Sequence, residues 1–143
     1  MPQKPNVDRS AVLSSLIGRR WSPEYSCWHL AAEIEAALFG HDLPAVVLPE
    51  EPGWRWMIET IEGHPERRNW REAAEIAPGL ISAADGALVA MGRADRAAHI
   101  GVWLAPERLV IHCDETSGVR ADPVPALRMQ GWGRIRFFEP VTD

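Results

Sequence analysis

The stretch HIGVWLAPERLVIHCD, residues 99–114, decides the fold of this chain. Two runs rich in branched and aromatic residues, 99–104 and 109–114, flank the turn residues APER, a pattern that is typical of a β-hairpin. If Leu104 pairs with Leu109, one face consists only of apolar residues and a cysteine, whereas a slip of one residue would scatter this set over both faces. The set is Ile100, Val102, Leu104, Leu109, Ile111 and Cys113. The stretch therefore predicts an antiparallel strand pair with one apolar face.

The opposite face of this predicted hairpin carries polar side chains. In the same register it presents His99, His112 and Asp114, with Asp114 opposite His99 and His112 diagonal to it, within roughly 7–8 Å. Gly101 leaves room beside His99, because it has no side chain. Cys113 points into the apolar face, so we interpret it as a structural thiol that does not pair with Cys27.

The rest of the chain divides into helical and strand-like halves. The runs 86–92 and 135–140 resemble those of the hairpin and add two strands to the sheet. The N-terminal half shows helical patterns instead. Helices first and antiparallel strands afterwards indicate an α+β class, and 143 residues suit a single domain over 1–143.

Four helices are predicted before the sheet. The first covers 10–16, where apolar residues recur at helical spacing. The second starts after Ser26, a plausible N-cap, and stops at Gly40, which is followed by breaker residues. Two short helices are expected at 53–63 and 67–77, in a polar segment that contains several prolines.

The second helix places a cysteine in its first turn. Glu33 and Glu35 lie off its apolar stripe. The unsatisfied N–H groups at a helix start favour a thiolate, so this position predicts a thiol with a depressed pKa. An inert buried cysteine would suit the position equally well, and both interpretations stay open here. The stripe that faces inward consists of Cys27, Leu30, Ile34 and Leu38.

A cysteine nucleophile needs a base, and three of the five histidines are poorly placed for Cys27. His29 lies about 200° around the helix from it, and we expect it to pair with Glu33. His41 would lie roughly 21 Å further along the helix axis. His64 falls in a polar loop. The two histidines of the hairpin remain.

These two histidines complete a candidate catalytic triad. If the helix stripe packs on the histidine face, Cys27 meets His99, and His112 or Asp114 holds the imidazole. Two ordinary hydrogen-bonded histidines are the alternative interpretation. One cysteine and two histidines could also ligate zinc, but the tight ligand spacing of such sites is absent, so no metal is expected.

The chain resembles a known family at several of these positions. Ser-Cys-Trp-x-Leu at 26–30, then HIGVWL, then a strand ending in His112, are similar to the NlpC family of papain-like cell-wall peptidases, in the branch found in phage tails and gene transfer agents. ADGALVAM at 84–91 and GWGRIRFFEP at 131–140 extend the likeness from about residue 10 to residue 140. It implies a papain-like fold, with N-terminal helices packed on a central antiparallel sheet.

The resemblance also implies roles for individual residues. It makes Cys27 the nucleophile, His99 the base and His112 the polar group that orients the base. Members of the family cut the peptide bond between D-glutamate and the diamino acid of the peptidoglycan stem. The residues expected to contact substrate beside the nucleophile are Tyr25, Ser26 and Trp28.

Three positions depart from the family pattern. Ser26 stands where the family usually has Asp, and His29 where it has Gly. Ala87 stands where an Asp is common after a Gly. The catalytic trio is therefore matched more fully than the residues that recognise substrate.

Composition limits the partners. The net charge is −5 and no basic stripe is present, so we expect no nucleic-acid partner. No apolar run is long enough to cross a bilayer, and no signal peptide opens the chain, so we expect synthesis in the cytoplasm and no membrane insertion. Delivery by a virion or tail and a cytoplasmic life fit these features equally, and the association with a virion tail is what the resemblance implies. The expected partners are the stem peptide and other phage tail proteins, with no cofactor. The alternative function is a structural tail-assembly or tail-tip module with little turnover.

Overall fold

The computed structural model has an α+β architecture, as the sequence predicts. Helices lie against a six-stranded antiparallel sheet. The helix predicted at 53–63, and His64, lie outside the described residues. The model describes residues 8–41, 70–73, 75–77, 80–93 and 96–140.

Three α-helices and one π-helical turn are described: α1 (Arg9–Leu16), α2 (Cys27–Ile34), the π-helical turn (Glu35–Phe39) and α3 (Val124–Met129). The start of α1 is capped by Asp8, whose carboxylate accepts a hydrogen bond from the N–H of Ala11 at 3.1 Å. The second predicted helix ends as expected at Gly40, which adopts a φ of 68°. That left-handed conformation is one that glycine adopts without steric strain.

Eight strands are described: β1 (Trp70–Ala73), β2 (Glu75–Ala77), β3 (Leu80–Ile81), β4 (Leu88–Arg93), β5 (Arg96–Leu104), β6 (Leu109–Asp114), β7 (Gly118–Asp122) and β8 (Arg134–Pro140). Six of them form the central sheet in the order β1-β8-β4-β5-β6-β7, and every neighbouring pair is antiparallel. A separate pair is formed by β2 and β3.

The register predicted for the hairpin is confirmed. Leu104 pairs with Leu109, and Gly101 pairs with His112. The alternation of apolar and polar residues along β5 and β6 fixes this register, because a slip of one residue would expose the apolar set.

Two strand assignments correct the sequence prediction. The segment 67–77 was expected to be helical, but its described part forms β1 and β2. Trp70–Ala73 pairs with the edge of β8, so sheet pairing outweighs the helical preference of its Ala and Glu residues. The strand β7 was not predicted, because Gly118, Arg120 and Asp122 are weak strand formers. It forms along the free edge of β6.

The central sheet has two different faces. The apolar face packs against α2 in one hydrophobic cluster, and the histidine face contributes to a second cluster together with α3. On the apolar face lie Ile100, Val102, Leu104, Ile111 and Cys113. On the histidine face lie His99, Trp103, Val110 and His112.

The helix α2 therefore covers the apolar face, and the expectation that it packs on the histidine face is wrong. An apolar helix stripe removes most surface from water when it meets the apolar side of the sheet. Cys27 and Cys113 consequently belong to the same cluster, and both thiols are free.

Glu35 is buried, although the α-helical pattern places it off the apolar stripe. It opens the π-helical turn that continues α2. The buried side of the helix is wider than this stripe, because Ala31 and Trp28, four and seven residues before Glu35, are also buried. Residues at these spacings share a helix face, so α-helical geometry already turns Glu35 toward the interior.

Candidate active site

His99 and His112 meet on the histidine face, on the neighbouring strands β5 and β6. The Nε2 atom of His99 lies 2.8 Å from Nδ1 of His112. His99 is 7% exposed and His112 is fully buried. The structure thus joins the two histidines by a hydrogen bond through named ring nitrogens.

The pair continues into β7 through two residues for which the sequence analysis gave no role. The Nε2 atom of His112 lies 2.8 Å from Oδ2 of Asp122. Arg120 donates to both carboxylate oxygens of Asp122, from Nε at 2.6 Å and from Nη2 at 2.9 Å. A sequence signal existed, since Arg120 and Asp122 share the strand period of two and follow the hairpin after a short turn.

Burial and hydrogen-bond donors together determine which of these linked side chains are ionised. Burial opposes ionisation of Asp122, but hydrogen bonds from Arg120 and His112 outweigh it and hold the Asp122 pKa below its ordinary value. Burial also lowers the pKa of His112, and this effect exceeds the opposing influence of Asp122. Near neutral pH the carboxylate is therefore charged and the buried imidazole is neutral.

Trp132 fixes the ring plane of His99. The two rings stack with centroids 5.0 Å apart and an interplanar angle of 15°. The His112 ring meets His99 edge-on, at 84° and a centroid distance of 5.0 Å. Held between a parallel and a perpendicular ring, the imidazole of His99 has little freedom to rotate.

Asp114, the alternative third member of the triad, has other partners. Its Oδ2 atom accepts hydrogen bonds from the N–H of Thr116 at 3.0 Å and from the N–H of Ser117 at 2.9 Å. These bonds close the turn between β6 and β7. The side chain that hydrogen-bonds His99 is thus His112 rather than Asp114.

Cys27 opens α2 behind the N-cap Ser26, as predicted. The predicted pairing of His29 with Glu33 is wrong. The Nδ1 atom of His29 accepts a hydrogen bond from the backbone N–H of Ser26 at 3.0 Å, while Glu33 contacts Arg19. Capping satisfies a backbone donor that the helix start would otherwise leave without a partner.

The thiol of Cys27 does not have the depressed pKa expected of its position. It is 7% exposed, and burial raises its pKa to about 11, against the opposing hydrogen bonds of the backbone at Ile100, Trp28 and Cys27 itself. Desolvation of a thiolate in an apolar layer thus outweighs the donors of the helix start.

These backbone donors also locate the sulfur of Cys27. Hydrogen bonds that favour a thiolate must come from N–H groups, and one of them belongs to Ile100, the residue after His99. The ladder between β5 and β6 runs from the Gly101 and His112 pair to the Leu104 and Leu109 pair. Ile100 lies just before this ladder begins, so the sulfur of Cys27 lies beside the backbone of β5 next to His99.

Cys113 is the second thiol of the same layer. It is fully buried, and burial raises its pKa to about 11. Its Sγ atom lies 3.6 Å from the backbone oxygen of Tyr25 and donates to it. These surroundings agree with a structural thiol that packs below the segment leading into α2.

The three residues expected to contact substrate differ in exposure. Ser26 and Trp28 are each 3% exposed, so they present little surface to a substrate. Tyr25 is half-buried, and its ring lies 4.6 Å from the guanidinium carbon of Arg19. Of the three, Tyr25 has the most surface available for a substrate contact.

Two further properties bear on function. Within the ranges that the structure describes, no three His, Cys, Asp or Glu side chains are placed to share a metal ion. None of the described helices is long and apolar enough to span a membrane.

No protein-family model, no curated protein and no solved structure matches this chain. What the site can do therefore rests on its own side chains.

Proposed function

We propose that this chain is a cysteine peptidase with a papain-like NlpC fold, which hydrolyses a peptide bond of the peptidoglycan stem between D-glutamate and the diamino acid. The observation that carries the proposal is the hydrogen-bonded chain from His99 through His112 to Asp122. The first residue of this chain, His99, precedes Ile100, whose backbone N–H contacts the Cys27 sulfur. The resemblance of 26–30 and 99–104 to the NlpC pattern supports the same activity.

The reaction proceeds in two acyl-transfer steps. The sulfur of Cys27 attacks the substrate carbonyl, and its proton passes to His99 as the S–C bond forms. We assign the stabilisation of the oxyanion to the backbone N–H groups of Cys27 and Trp28, which favour negative charge on the sulfur. His99 then protonates the leaving amine as the C–N bond breaks. Water hydrolyses the thioester, returning the thiol.

The raised pKa of Cys27 determines the timing of proton transfer. With a pKa of about 11 the thiol is protonated at neutral pH before substrate binds. His99 then acts as a general base during the attack, instead of forming an ion pair with the thiolate beforehand.

Digestion of purified peptidoglycan tests the activity. The wild-type chain should release fragments whose masses place the cut between D-glutamate and the diamino acid. Cys27→Ala should release none, and His99→Ala should release far fewer per hour. Fragments from Cys27→Ala at the wild-type rate would exclude Cys27 as the nucleophile, and an intact sacculus after prolonged treatment with the wild type would count against the activity itself.

A structural role in a phage tail is the second candidate, and one observation favours it. Cys27 is buried in an apolar layer with a raised pKa, which suits an unreactive thiol. Alkylation by iodoacetamide separates the two functions. In a peptidase, His99→Ala should slow the reaction at Cys27 near neutral pH. In a structural module, the rate should be equally slow with and without the imidazole.

A further inference from the structure

The hydrogen-bonded chain behind His99 ends in a fixed pair of charges. Arg120 donates through two nitrogens to the two oxygens of Asp122, at 2.6 and 2.9 Å. This two-point contact holds the plane of the carboxylate. Its Oδ2 atom also faces Nε2 of His112 at 2.8 Å. The orientation of His112 is therefore tied to a carboxylate that cannot turn independently.

The positions of the protons follow from this end of the chain. Arginine keeps its charge in proteins, and a carboxylate that accepts two bonds from it has no proton to offer. The nitrogen that faces Oδ2, which is Nε2 of His112, must then carry the hydrogen. A neutral imidazole has one N–H, so Nδ1 of His112 carries a lone pair.

The proton position on His99 follows from that on His112. Since Nδ1 of His112 can only accept, Nε2 of His99, 2.8 Å away, must donate. The lone pair of a neutral His99 ring is then on Nδ1. The stacked ring of Trp132 keeps this geometry in place.

We propose that Asp122, clamped by Arg120, is a positioning residue that fixes the tautomers of His112 and His99 and so makes Nδ1 of His99 the basic atom of the site. The assignment of tautomers stands on the hydrogen-bond geometry and on the neutral state of the buried His112 ring. Its catalytic consequence rests on the proposed function, in which Nδ1 receives the proton of Cys27. During that step Nε2–H of His99 continues to donate to His112, and no proton moves further along the chain.

The proposal excludes two other proton arrangements. If His112 carried hydrogens on both nitrogens, it would donate to His99 as well as to Asp122, and His99 would carry its hydrogen on Nδ1. If His112 carried its only hydrogen on Nδ1, a lone pair would face the charged carboxylate, which is repulsive. Both arrangements leave His99 without a basic Nδ1.

Long-range proton–nitrogen NMR spectra of the ¹⁵N-labelled full chain read the tautomers directly, without any substrate. In the wild type, near neutral pH, His99 and His112 should both show the Nε2–H pattern. Asp122→Leu keeps a side chain of similar size but removes both oxygens. The Arg120 guanidinium is then the charged group left near Nε2 of His112, and a lone pair faces a cation more favourably than an N–H does, so the Nδ1–H tautomer should gain population in both rings.

Asp114→Asn is the control. Asp114 ends β6, close enough to His99 for their charges to interact, and it bonds the turn rather than a ring. The control removes one negative charge near His99 but should leave both tautomers unchanged. If the spectra of Asp122→Leu match those of the wild type, or if wild-type His99 shows the Nδ1–H pattern, the positioning role is wrong. The second result comes from the wild-type chain alone and does not depend on a variant that folds.

Peptidase rates then separate this inference from the proposed function. We expect Asp122→Leu to lower kcat by about 10²- to 10⁴-fold with a small change in KM, because the basic nitrogen is lost and substrate binding is not. Asp114→Asn should stay within a few-fold of the wild type. A wild type with the expected tautomers but no peptidase activity would uphold the positioning role and reject the proposed function.

Discussion

Asp122, on the histidine face of the sheet, and Glu35, in the helical layer that covers the apolar face, are both buried carboxyl groups, yet their pKa values move in opposite directions. Arg120 and His112 donate to Asp122, and its pKa is lowered in spite of burial. Glu35 has His41 at 3.1 Å from one oxygen, and its other oxygen has no hydrogen-bond partner in the described structure. Burial raises its pKa to about 8.

The difference shows that the hydrogen-bond donors and the charges around a buried group decide whether that group is ionised. Asp122 faces a guanidinium that supplies two donors, which outweigh the loss of water. Glu35 lacks such a partner and also lies near the charge of Asp85. The two thiols of the apolar face behave like Glu35, since burial raises the pKa of both. Asp122 is thus the buried group that keeps its charge, because it alone of these four has a guanidinium as donor.

The largest expected effect compares the two buried cysteines of the apolar face. Cys27→Ala should lower kcat/KM on peptidoglycan by at least about 10³-fold, because the nucleophile is lost. Cys113→Ala makes the same change in the same layer and should leave kcat/KM within a few-fold of the wild type. Equal losses of activity in the two variants would contradict the assignment of Cys27.

The next effect concerns the charge of Glu35. Its folded-state pKa of about 8 lies above the ordinary 4.5, so its contribution to stability is fully present below pH 4.5 and is lost as the pH rises through 8. Glu35→Gln removes this titration. Between pH 5 and pH 9, the wild type should lose of order 3 kcal/mol of unfolding free energy relative to the variant.

Urea unfolding at pH 5, 7 and 9 measures this difference. Glu33→Gln, on the more exposed side of α2, is the matched control and should leave the wild-type slope in place. The titratable or charged groups around Glu35 are His41, Asp85 and Arg9. Arg9 forms an ion pair with Asp85. Parallel stability curves for the wild type and Glu35→Gln would show that Glu35 is charged in the folded chain throughout this range.

A smaller effect tests the packing of the histidine face. A methyl group added at Gly101 would meet Val110 Cγ1 at 2.7 Å, the backbone oxygen of Ile111 at 2.8 Å and His112 Cβ at 3.1 Å. Gly101→Ala should therefore lower the free energy of unfolding by about 2 kcal/mol. Gly133→Ala, where a methyl group meets no atom within 4 Å, is the control. Thermal unfolding that ranks the two variants equally would contradict this close contact.

The smallest effect is the packing contribution of Cys113. This side chain is fully buried in the apolar cluster, and Cys113→Ala should cost about 1–2 kcal/mol of stability through the small cavity that it leaves. Chemical denaturation measures the change. A variant as stable as the wild type would indicate that the layer closes around the missing sulfur.

Local pattern predicted much of the fold and part of the site. The alternation along β5 and β6 gave the correct register, which places His99 and His112 on one face. Helical spacing and an N-cap serine gave the start of α2 at Cys27. These features depend on a residue and its near neighbours in the chain, so the sequence contains the information needed to predict them.

The missed features depend on pairing between strands rather than on the local preference of each segment. The strand β7, which brings Asp122 to His112, is weak by composition and forms on an edge that another hairpin provides. The segment 70–73 became a strand through its pairing with β8. In both, pairing with a partner strand overrides the local preference.

The sequence by itself determined that two histidines share one face of a hairpin and that a cysteine opens an amphipathic helix, because side-chain direction follows from strand and helix periodicity. Only the tertiary structure decided that the helix covers the opposite face, that the Cys27 thiol is desolvated, and that Asp122 and Arg120 complete the chain behind His99. The burial of a group and its electrostatic interactions depend on all the atoms around it, and folding brings most of those atoms from elsewhere in the chain.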